Sequence, residues 1–244
     1  MNFLKNHPFA VEAFFENSTV FTFAIPKEQL QKFIPDHLTL DTFKDRWAFI
    51  AVAMVKTKNL RPKGFPKWIG NDFFLIGYRI FVRYKTRAGK NLRGLYILKS
   101  ETNKKKMELL GNVFTHYNYT TTDIHFWESD DLVKIESKKS DFQVTIDPNA
   151  KQISLPQNSP FSEWKEARRF AGPLPFTFSC NPDDNSVLII EGVRQNWKPQ
   201  PIKVNDYNFS FLQSLDLKDV ILANAFEITE VPYYWKKGRK EIWK

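Results

Sequence analysis

Residues 73–102 read FFLIGYRIFVRYKTRAGKNLRGLYILKSET. Phe73 to Tyr84 is a run of aromatic and β-branched residues, Arg87-Ala88-Gly89-Lys90-Asn91 is turn chemistry, and Leu92 to Leu98 returns as a second apolar run. That pattern predicts an antiparallel hairpin. One residue is out of keeping with it: Arg79 stands mid-strand among residues that belong in a core. A buried guanidinium with no partner costs several kcal/mol, so a carboxylate is expected beside it, and Glu101 at the end of the returning strand is the nearest candidate. The pair would serve as a brace for the hairpin or, in a pocket, Arg79 would anchor an anion. The brace is the expectation.

Working outward, Thr19 to Ile25 and Trp47 to Val55 are runs of the same kind. Further strands are predicted at 113–126, 132–137, 141–146, 174–179, 187–197, 202–209 and 221–230. Many short strands separated by Pro and Asn/Asp clusters indicate a sandwich or barrel rather than βαβ units. Helices are few and short. One begins at Pro26 and stops before Pro35, and one spans Lys104 to Leu110, capped by Asn103 and closed by Gly111. A third follows Ser159-Pro160 and spans Phe161 to Phe170. With no repeat and no Gly/Ser linker, residues 1–244 are expected to form a single domain.

The composition excludes several classes. With 23 Phe, 8 Tyr and 7 Trp against 9 Gly, the chain is neither disordered nor a Gly-rich nucleotide binder. One cysteine, Cys180, allows no internal disulfide and no Cys-based zinc cage. No stretch approaches roughly 18 consecutive apolar residues, and the N-terminus has no apolar signal-peptide core, so a soluble cytoplasmic chain with no membrane partner is expected. The net charge of +9 raises the question of nucleic acid, above all at the tail WKKGRKEIWK, residues 235–244. A solvated tail is the simpler account, with Trp235 and Trp243 docked on the β core.

The four histidines, His7, His37, His116 and His125, show no metal-ligand spacing, and the sequence lacks HExxH, GxSxG, P-loop and GxGxxG motifs. No metal or cofactor is expected. Glu101 and Glu108 flank Lys104-Lys105-Lys106, which fits the charged outer face of a helix.

An ordered series of motifs carries a family resemblance. Leu38–Phe43, Trp47–Val52, Arg61–Pro66, GYRIFV (77–82) and GLYILKSET (94–102) resemble the YqjF-like family of uncharacterised bacterial proteins, DUF2071, and Val193–Pro199 is similar to its C-terminal "H..W.l" stretch. The resemblance covers most of residues 10–210. It implies the acetoacetate decarboxylase-like fold: a mainly β (α+β) barrel with a central apolar cavity and a few short peripheral helices. Related folds form homo-oligomers, so a homo-oligomer is also implied. The decarboxylases use a lysine pair, one lysine forming a Schiff base, and a glutamate. Tyr119 and Thr120 stand where the resemblance places the lysines, and Leu75 where it places the glutamate. A tyrosine forms no imine, and a leucine moves no proton.

The reading that follows is a protein binding a small apolar molecule that bears a carbonyl or carboxylate, without Schiff-base chemistry and with no catalytic residue assigned. Arg79, Glu101, His116, Tyr117 and Tyr119 are the ligand-binding candidates, Tyr119 and His116 as donors to a carbonyl or enolate oxygen. The alternatives are a lyase or isomerase of the decarboxylase superfamily using another lysine such as Lys99, and a nucleic-acid-binding module acting through the tail.

Overall fold

Strands whose side chains are apolar on both faces need cover on both faces, and the architecture supplies it. The structure, a computed structural model, describes residues 2–172 and 174–243. Its strands are β1 Val11–Pro26, β2 Thr39–Leu40, β3 Trp47–Pro62, β4 Asn71–Lys85, β5 Asn91–Thr102, β6 Tyr119–Thr121, β7 His125–Glu128, β8 Val133–Ser137, β9 Phe142–Asp147, β10 Phe176–Asn181, β11 Ser186–Arg194, β12 Gln200–Pro201, β13 Lys203–Phe209, β14 Ile221–Trp235 and β15 Arg239–Ile242. The helices are α1 Asn2–Lys5, α2 Lys27–Leu30, α3 Lys105–Phe114, α4 Trp164–Phe170 and α5 Ser210–Gln213.

The strands β14, β1, β3, β4, β5, β10 and β11 pair in that order, and β11 pairs again with β14, with Arg194 opposite Tyr233 and Gly192 opposite Trp235. The path therefore closes into a ring. Within it only β5 and β10 run parallel, and a parallel pair needs a long crossover. That crossover carries α3, α4 and most of a second sheet ordered β13-β9-β8-β7.

The second sheet explains the continuous apolar runs. Phe21, Phe23, Val52 and Tyr78 point out of the ring and pack with Val144 and Phe209 of the second sheet. The alternate residues Val20, Ala24, Phe49 and Phe81 point into the ring, where Phe161 and Ala167 close one end. Phe49 stacks on Phe161 with centroids 5.6 Å apart. Both faces are buried, so the polar positions that normally mark a half-buried strand are missing.

The hairpin at 73–102, the mainly β class and the helix after Pro26 are as the sequence predicts. Four local expectations are corrected. Helix α3 runs on through Gly111 to Phe114, and Gly111 sits inside it rather than at its close. A Cβ on Gly111 would come within 2.3 Å of the Tyr119 ring, so close packing and not turn geometry requires the glycine. Asn103 does not cap the helix; its side chain accepts a 2.8 Å hydrogen bond from the Phe74 amide, leaving Lys104 at the N-cap. The predicted strand 113–126 is divided among the end of α3, a loop, β6 and β7, so His116 and His125 share no strand. The third helix begins at Trp164, later than Phe161.

The tail after Tyr234 is part of the sheet. β15 pairs with β11, and Trp243 stacks on His37 at 5.6 Å while its indole N–H donates to the Tyr84 hydroxyl at 2.9 Å. Among the described residues no helix is long and apolar enough to cross a membrane.

Candidate functional site

The end of the ring opposite Phe161 holds a cavity of about 450 Å³, within the roughly 300–1,000 Å³ of small-molecule sites. Every ring strand gives it an inward residue, among them Val20, Ala53, Leu75, Leu95, Thr177 and Tyr233. Met107, Leu110 and Phe114 of α3, together with His7 and Phe9 before β1, the end of β3 from Leu60 to Pro62, and Ile69 and Asn71 where β4 begins, complete its walls. Room exists because the inward side chains of β3 include Ala51 and Ala53.

Arg79 occupies that room. It lies across from Ala51, and Ala53 lies across from Gly77. A Cβ on Gly77 would sit 3.0 Å from Arg79 Nε and 3.1 Å from Nη2, so the guanidinium folds back over a residue with no side chain. The surface Arg79 retains faces the cavity, and its Nε has no hydrogen-bond partner. Burial lowers its pKa, opposed by the nearby hydroxyls of Tyr119, Tyr233 and Tyr117; a guanidinium stays charged regardless.

The expected Arg79–Glu101 pair does not form. β4 and β5 shift register at Tyr78: Tyr78 pairs with Lys99 but Arg79 with Ile97, leaving Leu98 as an extra residue. Up to that bulge Leu95 and Ile97 face inward; beyond it Ser100 faces inward, and Lys99 and Glu101 are turned to the outer face. One inserted residue exchanges the two faces of a strand. Glu101 is buried there, accepting from Lys99 Nζ at 3.0 Å and from Ser140 Oγ at 2.5 Å. Ser140 Oγ also lies 2.6 Å from the Thr122 hydroxyl, so Glu101 fastens the turn between β8 and β9 to the main sheet.

Of the other candidates, Tyr117 and Tyr119 line the cavity and His116 does not. His116 is half-buried, its pKa lowered by burial and then by Lys5 and Lys240. Tyr119 is held from both sides of its backbone by Asn112, which accepts from its amide and donates to its carbonyl, each at 2.8 Å. Burial raises the Tyr119 pKa to about 12, and raises that of Tyr117 as well. Both hydroxyls are therefore protonated donors at neutral pH. Leu75 also lines the cavity, while Thr120 is exposed.

Sequence reasoning missed four lining residues of note. Arg194 ends β11 with Nη2 unpartnered, its guanidinium over the Trp197 ring at 4.3 Å, and Trp197 Nε1 is also unpartnered. Both belong to the stretch 193–199 that carried the family resemblance, which was the available signal. His7 is buried with Nε2 unpartnered, and burial lowers its pKa to about 4; nothing in its local sequence marked it. Trp235 is likewise a wall residue. Arg61 at the margin is compensated by Glu12 at 2.7 Å. No Asp or Glu lines the cavity among the described residues, and Lys106, its one lysine, is solvent-exposed.

The model of family DUF2071, described as an uncharacterised conserved protein, matches residues 13–237. No curated protein matches the chain. Among solved structures, the chain is similar to acetoacetate decarboxylase from Legionella pneumophila, with a TM-score of 0.65 at 11% identity over 96% of this chain and 88% of that one. It is also similar to the enduracididine biosynthesis enzyme MppR with HEPES buffer bound (TM-score 0.59, 8% identity, 96% and 88% covered). The same enzyme complexed with pyruvate gives 0.54 at 9% identity, with 96% and 90% covered. At such identities the likeness establishes the acetoacetate decarboxylase-like fold alone.

Proposed function

The chain belongs to the DUF2071 family, and from the cavity it builds on an acetoacetate decarboxylase-like fold we propose that it binds a small apolar molecule bearing a carboxylate, with or without a neighbouring carbonyl. The observation that carries this reading is Arg79: a guanidinium buried in an apolar cavity with no carboxylate partner. Such a charge is costly unless something completes it, and a ligand carboxylate supplies the fork-to-fork geometry that arginine prefers. Apolar walls take the ligand body, and the protonated hydroxyls of Tyr117 and Tyr119 suit a carbonyl oxygen. MppR complexed with pyruvate is a case in the same fold of a ligand that combines those two groups.

Imine chemistry has little to work with. Lys99 is engaged with Glu101 on the outer face, and Lys106 keeps its hydration at the cavity margin. The nucleic-acid reading is weakened by the tail itself, where Lys236, Arg239 and Lys240 are paired with Glu191, Glu241 and Asp184.

Calorimetry with 3-phenylpropanoate and its neutral amide tests the proposal. The acid is expected to bind and the amide not; equal binding, or none by the acid, would overturn it. Borohydride treatment with acetoacetate is expected to leave the protein mass unchanged, and a stoichiometric lysine adduct would favour the lyase instead.

A further inference from the structure

Resting on that reading, we infer that the ligand carries two negative charges close together at one end, as in a dicarboxylate or a phosphate monoester on an apolar body. Two independent parts of the chain bring an uncompensated guanidinium to the same cavity. Arg79 comes from the middle of β4, on the notch made by Gly77 and Ala51. Arg194 comes from the seam where β11 meets β14 and closes the ring, directly across from Tyr233. Arg79, Arg194 and Tyr233 all line the one cavity, so the two cations share it; the charge on Arg79 also acts to lower the Arg194 pKa, after burial.

Neither arginine forms an ion pair among the described residues. On these two arginines and the adjoining Trp197, Arg79 Nε, Arg194 Nη2 and Trp197 Nε1 have no partner, and elsewhere in the lining His7 Nε2 and Thr57 Oγ1 have none. The other cations at the cavity do not enter the count, since Arg61 is matched by Glu12 and Lys106 is exposed. His7 is neutral near pH 7. The deep site therefore holds two positive charges and no negative one.

A monoanion would neutralise one guanidinium and leave the second buried, unpaired and next to a like charge. Removing water around it would then raise its cost. Two negative charges leave the occupied cavity neutral. The Arg194 guanidinium lies 4.3 Å from the Trp197 ring and 5.7 Å from the Tyr233 ring. These cation–π contacts hold the group at the cavity wall.

Matched probes decide the matter by calorimetry on the full chain: 3-phenylpropanoate, its dicarboxylate relative benzylsuccinate, and 2-phenylethyl phosphate. At least one dianion is expected to bind on the order of tenfold or more tightly than the monoanion, the gain of a further charged hydrogen bond. Benzylsuccinate ahead of the phosphate would indicate two carboxylates, and the reverse order a single phosphate head. Arg194→Gln is expected to collapse the dianion-to-monoanion ratio toward one, and Trp197→Phe, which removes the indole N–H and part of the ring beside Arg194, to reduce it less. The wild-type ratio stands even if Arg194→Gln fails to fold. Equal affinity of the wild type for mono- and dianions would overturn this inference and leave the proposed function intact. No binding of any of the three would overturn both.

Discussion

Tyr78 pairs with Lys99 across the hairpin while its chain neighbour Arg79 pairs with Ile97. That single slip in register turns Glu101 out of the cavity and commits it to Lys99 and Ser140. It leaves Arg79 facing the cavity without a carboxylate, and it separates two residues whose substitutions should now behave oppositely.

Glu101→Gln should lower stability by about 1–3 kcal/mol, because a buried carboxylate with two donors loses its charge-assisted bonds. Urea denaturation measures the loss. Affinity for 3-phenylpropanoate should be unchanged, and a variant that folded normally but bound nothing would return Glu101 to the site.

Arg79→Met should do the reverse. Replacing an unpaired buried cation by an apolar chain of similar length is expected to raise the stability of the empty protein by about 1–3 kcal/mol. Carboxylate binding should be abolished. A lower melting temperature with binding retained would contradict the assignment.

Gly111→Ala should be strongly felt although it favours a helix. The new methyl would meet the Tyr119 ring at 2.3 Å, and overpacking of this kind costs about 1–3 kcal/mol. Since Tyr119 would be displaced, affinity for a keto acid such as phenylpyruvate should fall more than affinity for 3-phenylpropanoate. Identical losses for both ligands would argue against a Tyr119 contact with the carbonyl.

His7 makes a prediction about pH. Its pKa falls from the ordinary 6.5 to about 4 on folding, through burial. Between those values the unfolded chain binds the proton and the folded chain does not, so stability rises with pH across the window. It is fully present above 6.5 and is lost as pH falls toward 4. The lowering amounts to ~3 kcal/mol at 1.36 kcal/mol per unit. His7→Gln should therefore lose less stability than the wild type between pH 7 and pH 4.5, read as the difference in denaturation midpoints; parallel pH curves would show that His7 is not buried as the neutral form.

The sequence by itself determined the β architecture, the 73–102 hairpin and the family. All rest on local order: strand-forming runs, turn residues between them and motifs in series. It also singled out Arg79, Tyr117 and Tyr119, because an arginine among apolar residues, a tyrosine at one of the two lysine positions and a second tyrosine close before it are visible along the chain. Only the tertiary structure decided which charges meet. Period-two alternation assigns faces until a bulge reverses them, and the bulge at Leu98 exists only in the pairing of β5 with β4. Arg194 reaches the cavity because β11 closes on β14, and His7 because its carbonyl and amide are bound by Gly238 and Phe114, far along the chain. Ring closure and register are properties of strand pairs, so one strand read alone does not contain them.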